Sequence, residues 1–424
     1  VSIPMKTELS SGMKTALPVL LTLIKHGHEA VFVGGAVRDL MLGLEDKDVD
    51  IATSALPEQT MALFPKCIGT GLQHGTVTVM VEGNGYEVTT YRQESPYEDH
   101  RRPGSVQFIG NLEGDLLRRD FTINAMALGA DGELHDPFGG LEDLKNRRLR
   151  CVGDPDARLQ EDALRMLRGV RFIGTYGLSP TLSTWRALRR HRALLRHVAM
   201  ERVQAELDKM VDGPAPERSL AWLSLSGLLK HTREELNLPE PIDCIDLSWL
   251  GELPGKDNRY AALFIACGMD GAAAFSCMSK LRFSGKRMDA VRNRLDMHAR
   301  YLLVPEEADE DSLWRKTVLE YGREAAAEWL EMALLLPDEL APGIAGKGGG
   351  YRHVMESLPV SSARELSVNG AELAEALGKK PGPWTREMLL RLLHAVADGE
   401  LLNHKEVLIS QGMKWTMESN HEPK

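Results

Sequence analysis

Between Ala30 and Asp136 short apolar runs alternate with turn signals, in AVFVGG, DVDIA, GTVTVMVEGNGYEVTTYR and FTINAMALGADGELHD. Runs of that length with period-two alternation predict strands, and Thr76–Arg92, which alternates around EGNG, predicts a hairpin. From Cys151 onward the apolar positions recur at helical spacing instead, as in EDALRMLRGVRFIGTYG and SLAWLSLSGLL. The pattern therefore predicts a mixed α/β first part followed by an all-helical remainder. Two breaks read as boundaries: DGPAPE near Asp212, and the glycine-rich APGIAGKGGG from Ala341, a mobile connection that lacks the Lys-Ser or Lys-Thr that closes a phosphate loop.

Composition narrows the class. At 424 residues, 43% hydrophobic and 26% charged, the chain has the length for two to four compact domains. It shows neither a leader pattern nor an apolar run long enough for a bilayer, so a soluble cytoplasmic protein without a membrane partner is expected. The five cysteines are scattered and form no CxxC pair, which argues against a disulfide framework or structural zinc. A formal charge of -10 excludes a protein that coats nucleic acid through its overall field. Any nucleic-acid contact has to come from local basic clusters. Two stand out: Arg186, Arg189, Arg190, Arg192 and Arg196, and then Lys280, Arg282, Lys286, Arg287, Arg292 and Arg294.

The densest chemistry lies in FVGGAVRDLMLGLEDKDVDIA. On a strand, Asp48 and Asp50 point the same way with Val49 buried on the other side, and two carboxylates on one face can share hard divalent cations. Magnesium suits such a site, because it takes few protein carboxylates and completes its shell with phosphate oxygens and water. Gly34 and Gly35 allow close backbone approach to a ligand, and Arg38 follows at the start of a predicted helix whose N-terminus attracts anions. Glu87, on a neighbouring predicted strand, is a candidate third carboxylate. Glycine turn, arginine and acid pair together fit a nucleoside triphosphate with its metals.

From GGAVRD and DVD the sequence resembles the nucleotidyltransferases of the class II CCA-adding and bacterial poly(A) polymerase family, and further motifs extend the likeness over nearly the whole chain. LLRRDFTINAMA resembles the motif that selects ribose over deoxyribose, which implies nucleotide-binding roles for Arg119, Asp120 and Asn124. DPFGG and LEDLKNRRLR match the family's hinge, with Asp136, Gly140 and Arg150. The resemblance implies a seahorse-shaped array: an α/β head over residues 1–150, a helical neck over 151–212 that recognises the base, a helical body over 213–300 and a helical tail over 301–424.

EDALRMLRGVRF suggests how a protein could choose a base. Read as one helix, Asp162, Arg165, Arg168 and Arg171 form a stripe at intervals of three, and buried arginines need polar or anionic partners. Cytosine and adenine each present an amino donor beside a ring-nitrogen acceptor, whereas uracil and guanine present a carbonyl beside an N–H. A carboxylate with a guanidinium therefore fits C and A and repels U and G. The resemblance gives Asp162 and Arg165 this template role, turns Arg168 and Arg171 toward the triphosphate, and makes Glu161, Glu201 and Arg202 supports.

Within that family the polymer remains to be chosen. Relatives that synthesise poly(A) carry an arginine-rich stretch after the acid pair and a basic C-terminal extension; here those places hold TGLQHGTVTVMV and SNHEPK. RQESPYEDHRRPGSVQF, from Arg92, is polar and interrupted by prolines and reads as a mobile loop. In CCA-adding relatives such a loop is the lever between CTP and ATP. The expectation is a magnesium-dependent enzyme adding C, C and A to tRNA, with ATP and CTP as substrates and no DNA partner. Its tail, with Lys379 and Lys380 beside a Gly-Pro helix start, is expected to hold the acceptor and TΨC arms.

Overall fold

The computed structural model describes residues 6–45, 48–94, 97–98, 102–103, 106–238, 245–304 and 309–419. The chain forms two compact units, one comprising Val1–Cys244 with Lys280–Arg282 and the other Ile245–Ser279 with Phe283–Lys424.

The first unit begins with helix α1 (Ser11–Lys25), capped where Ser10 accepts from the Met13 N–H at 3.0 Å. Then follow β1 (Ala30–Val33), α2 (Gly35–Met41), β2 (Asp50–Thr53), α3 (Pro57–Leu63), β3 (Cys67–Gly71), β4 (Thr76–Val81) and β5 (Asn84–Thr90). Short strands β6 (Arg92–Glu94), β7 (Tyr97–Glu98), β8 (Arg102–Pro103) and β9 (Val106–Phe108) come next, before α4 (Leu112–Leu117), β10 (Ala127–Leu128) and β11 (Leu134–His135). The seven-stranded sheet runs β11-β10-β1-β2-β5-β4-β3, with β2 parallel to β5 and antiparallel to β1. The expected hairpin is β4–β5, closed by Glu82 and Gly83 at φ of 50° and 88°, the left-handed pair that matches strand twist. Val31, Val33, Ala52, Tyr91, Leu116, Ala125, Ala127 and Val152 form a buried cluster under the sheet.

The segment from Arg92 is not a loop throughout. β6 pairs with β9 and β7 with β8, both antiparallel, so its described residues form a narrow two-stranded arm. Ser95, Pro96, Asp99, His100, Arg101, Gly104 and Ser105 lie outside the described residues.

Helices carry the unit onward: α5 (Gly140–Lys145), α6 (Pro155–Glu161), α7 (Leu164–Tyr176), α8 (Leu182–His191), α9 (Met200–Val211) and α10 (Pro216–Ser226), with a small parallel pair, β12 (Arg148–Leu149) and β13 (Ser179–Pro180), among them. The break at DGPAPE is the turn between α9 and α10, two helices of the same unit.

The second unit is helical among its described residues: α11 (Lys256–Ala266), α12 (Gly271–Lys280), α13 (Gly285–Leu302), α14 (Glu310–Tyr321), α15 (Arg323–Ala333), α16 (Ile344–Ser357), α17 (Gly370–Ala376), α18 (Pro383–Ala397) and α19 (Lys405–Ser419). The glycine run read as a connection lies inside α16. Tertiary packing overrides the poor helix propensity of glycine there. A Cβ on Gly348 would stand 2.7 Å from Leu334 Cδ2, Lys347 pairs with Glu310 at 2.6 Å, and Trp314 Nε1 donates to the Tyr351 carbonyl at 2.9 Å. Cys67, Cys151, Cys267 and Cys277 form no disulfide, and no helix among the described residues is long and apolar enough to cross a membrane.

Candidate active site

A cleft of about 560 Å³ opens in the first unit. Its wall comes from the end of β1, the start of α2, β2, β5, the segment after α4, and α7. Gly34, Gly35, Arg38, Asp50, Glu87, Arg119, Asp120, Asn124, Asp162, Arg165, Arg168 and Arg171 all line it. Arg202, expected as a support, lines it too, whereas Asp48, Glu161 and Glu201 do not.

Gly34 explains the paired glycines. Its φ is +72°, and a Cβ there would come within 2.9 Å of Arg119 Nη1 and 3.9 Å of Asp50 Oδ2, so a side chain would meet both strain and a clash. This turn also ends β1. The β1–β2 ladder stops at Val33↔Asp50, and Asp48 therefore has no strand partner: it lies exposed in the bend before β2, with Val49 half-buried. The expectation that Asp48 and Asp50 share a strand face is thus corrected. Asp50 is instead aligned with Glu87 across the parallel β2–β5 pair, which puts those two carboxylates on one face. Burial and the Glu87 charge push Asp50 up to about 6, with Asp48 adding and Arg119 opposing. Such a crowded acid pair is short of positive charge and suits a bound cation. No cluster of three or more His, Cys, Asp or Glu side chains able to hold a metal occurs among the described residues.

Arg38 sits in the last turn of α2 rather than at its start; it is buried, donates to Asn124 Oδ1 at 2.6 Å and pairs with Asp39 at 2.9 Å. Asn124 passes the contact on, its Nδ2 donating to Asp120 Oδ1 at 3.0 Å, and Arg168 Nε donates to Asp120 Oδ2 at 2.8 Å. Burial alone would raise the Asp120 pKa, but the Arg168 charge and hydrogen bonds from Asn124 and Arg168 outweigh it and hold the carboxyl well below its usual range.

The single helix expected across Asp162 is broken. α6 ends at Glu161, Asp162 adopts an extended conformation (φ −137°, ψ 107°), and α7 starts at Leu164. The break has a local cause: Asp162 Oδ1 accepts from the Leu164 N–H at 3.0 Å, the competing bond by which aspartate starts helices rather than continuing them. Asp162 Oδ2 pairs with Arg202 at 2.9 Å. Arg165, Arg168 and Arg171 do share a stripe on α7, and each meets an acid: Glu161 at 2.7 Å, Asp120 at 2.8 Å and Glu206 at 2.7 Å. Arg165 also donates to the carbonyls of Arg158 at 3.0 Å and Arg118 at 2.9 Å.

Sequence reasoning missed Phe172 and Arg118. The Phe172 ring is buried among Arg38, Arg168 and Arg171, whose guanidinium carbons lie 5.3, 5.4 and 4.3 Å from its centroid, a stacking floor that keeps three cations together. Its position one residue past Arg171 and four past Arg168 was the available signal. Thr76, Thr89 and Arg92 also line the cleft, and only their strand register places them there.

Away from the cleft, Asp136 accepts from the Gly140 and Leu141 N–H groups at 2.7 and 2.9 Å. Arg150 brackets the same turn through Asp143 and the Phe138 carbonyl, both at 2.8 Å. A Cβ on Gly140 would meet the Thr122 carbonyl at 2.2 Å, so only glycine fits. Glu201 is exposed on the first turn of α9. The second basic cluster is largely paired to acids of this chain, with Arg282, Arg287, Arg292 and Arg294 bound to Glu234, Asp257, Asp289 and Glu328, the Arg282 and Arg292 pairs at the surface. In the second unit, the Lys379 ammonium stands 5.7 Å from the Trp384 ring centroid.

Three families match the chain: "Poly A polymerase head domain" over residues 30–150, "Probable RNA and SrmB- binding site of polymerase A" over 177–238, and a tRNA nucleotidyltransferase domain 2 over 252–411. The chain is 42% identical to a CCA-adding enzyme of Geobacillus sp. (strain WCH70) over 94% of its own length and 96% of that protein's. It is 38% identical to the CCA-adding enzyme of Geobacillus stearothermophilus, covering 96% of each. Among solved structures, that of the Bacillus stearothermophilus CCA-adding enzyme in complex with CTP superposes with a TM-score of 0.81 at 34% identity, covering 97% of this chain and all of the other.

Proposed function

Because the chain belongs to the family of CCA-adding enzymes, we propose that it adds C, C and A in turn to the 3′ end of tRNA from CTP and ATP, without a nucleic-acid template and with release of pyrophosphate. The observation that carries this reading is the juxtaposition of Asp162 and Arg165 in a cleft with a large surplus of arginine. Asp162 accepts from the exocyclic amino group of C or A and Arg165 donates to the ring nitrogen; U and G offer the reverse pattern. Arg38, Arg168 and Arg171 take the triphosphate as a preorganised wall of positive charge. Arg119, Asp120 and Asn124 test the ribose.

The Asp50–Glu87 crowding fits a divalent cation, with magnesium the natural choice and Asp48 and Asp50 its holders. When bound, such a metal lowers the cost of charge on the reacting phosphate and on the 3′ oxygen. The work left to the chain is alignment: holding base, sugar and triphosphate so that attack is in line. Residues 1–150 act as catalytic head, 151–212 as the base-reading neck, 213–300 as body and 301–424 as the tail that holds the acceptor and TΨC arms, with the Asp136–Gly140–Arg150 turn as hinge. The cytoplasm is its place of action.

The test is to incubate the purified chain with magnesium, all four ribonucleotides and tRNAs truncated at each of the last three positions, and to sequence the product ends. Termination at CCA is the expected result. A stop at CC, or a long A tail, overturns the reading.

A further inference from the structure

The groups assigned to the nucleotide's sugar and triphosphate cling to one side of the cleft. In the sheet order β10-β1-β2-β5-β4 that side is β10–β1: Gly34 follows β1, Arg38 comes after it in α2 and donates to Asn124, and Asn124, just ahead of β10, is tied through Asp120 to Arg168. Asp50 and Glu87 occupy the middle, on β2 and β5. In-line transfer requires the nucleophile to arrive opposite the departing pyrophosphate. The RNA end therefore approaches from the β5–β4 side. Beyond Glu87, the residues of those two strands that line the cleft are Thr89 and Thr76.

Strand alternation puts them there. Tyr86, Val88 and Thr90 take the buried face of β5, which leaves Glu87 and Thr89 on the open one; on β4, Val77 and Val79 are buried and Thr76 is half-buried. Thr76 stands opposite Thr89 in the β4–β5 ladder, and their hydroxyls bond each other at 3.0 Å and no other group among the described residues. In such a pair one hydroxyl donates and the other accepts. The acceptor's own O–H stays available as a donor, and lone pairs remain on both oxygens. A cross-strand threonine bond also stabilises a sheet; what is particular here is its place on the open face beside the acid pair. Two residues along a strand span ~7 Å, so Thr89 lies about one sugar's width beyond Glu87.

Neither threonine carries the charge a phosphate would call for. A neutral pair with one free donor and spare acceptors matches a ribose 2′-hydroxyl, itself donor and acceptor, and that hydroxyl is the neighbour of the 3′-hydroxyl that attacks. We propose that Thr76 and Thr89 form the subsite for the terminal ribose of the RNA acceptor end, holding its 2′-hydroxyl and thereby setting the adjoining 3′-hydroxyl against the incoming nucleotide. This rests on the reading of nucleotide addition to tRNA given above. The sugar held here belongs to the RNA; the one tested by Arg119, Asp120 and Asn124 belongs to the nucleotide.

The experiment uses the full chain, Thr76→Val and Thr89→Val; each substitution removes a hydroxyl and keeps a β-branched strand residue, and either decides the matter if the other does not fold. Each protein is given CTP, magnesium and tRNA ending in a single C whose last sugar is either ribose or 2′-deoxyribose. For the wild type, kcat/KM is expected to fall about tenfold on the 2′-deoxy end. Either variant should already be about tenfold slower on the ribose end and lose no more on the 2′-deoxy end, because the two changes remove the same bond. Affinity for CTP in the absence of tRNA, measured by equilibrium dialysis, should stay unchanged. A 2′-deoxy penalty of equal size in wild type and variants makes the threonines a sheet pair only and overturns the proposal, as does a wild type indifferent to the 2′-hydroxyl. Wild-type chain that extends neither end overturns the functional reading first, and this proposal with it.

Discussion

The cleft of the first unit sets eight arginines against four carboxylates; a broad cleft in the second, lined from Asp257 to Arg386, sets six cations against five carboxylates. Each contains a deeply buried arginine: Arg165 is 7% exposed and Arg294 5%. Arg294 is spent internally, on Asn258 Oδ1 at 2.6 Å and Glu328 at 2.7 Å, and neighbouring Arg287 on Asp257 at 2.6 Å. The first cleft keeps an unbalanced surplus on a wall stacked over Phe172. A buried arginine by itself therefore marks only a paired charge; a surplus converging on open space marks where an anion is meant to sit.

The sharpest break of that comparison is Asp50→Ala. Removing this acid should reduce nucleotide incorporation roughly a thousandfold or more while tRNA affinity, measured by filter binding, stays nearly unchanged. Incorporation within tenfold of the wild type would remove Asp50 from the reaction.

Arg168→Ala and Arg294→Ala test the two clefts against each other. Loss of Arg168 leaves Asp120 buried without its counter-charge and should cost about 3 kcal/mol of stability as well as most of the activity. Loss of Arg294 should cost less stability, because Glu328 is half-exposed, and leave activity per folded molecule unchanged. Equal activity losses in both would erase the distinction between the clefts.

The second unit carries its own pH signature in His298. Burial pushes this imidazole down to about 4, against an ordinary value near 6.5. Its neutral form is accommodated fully above pH 6.5. As pH falls from there the unfolded chain takes up the proton first, so about 3 kcal/mol of stability drains away by pH 4, with no further loss below. Urea unfolding across that range should show the decline in the wild type and a flatter line in His298→Phe; parallel curves would exclude His298 as the cause.

The smallest effect expected is on selectivity. Asp162→Ala should relax the rejection of UTP and GTP by about 10- to 100-fold, read from misincorporation on truncated tRNA. Full retention of C/A selectivity would place the template elsewhere.

Period-two alternation made the β4–β5 hairpin legible, and the GG turn and the arginine stripe announced most of the residues that meet in the cleft. What failed did so for local reasons. Asp162 looked helical by spacing, but its side chain bonds the Leu164 N–H and breaks the helix. Asp48 looked like a strand residue, but the turn at Gly34 removes the partner strand it would need. The Gly346–Gly350 run looked like a connection because propensity was read without Leu334, the neighbour that close packing against Gly348 requires. Glu87 could be named from its strand; only the parallel register Asp50↔Glu87 shows which acid it faces.

Arg165 is moored at three points, and two of them, the carbonyls of Arg158 and Arg118, belong to the main chain. A carbonyl is supplied by every amino acid. A side-chain exchange at 118 or 158 therefore leaves these two acceptors in place, whereas the Glu161 bond is lost with its side chain. The orientation of this guanidinium is in this way buffered against mutation by the one part of a protein that mutation does not rewrite.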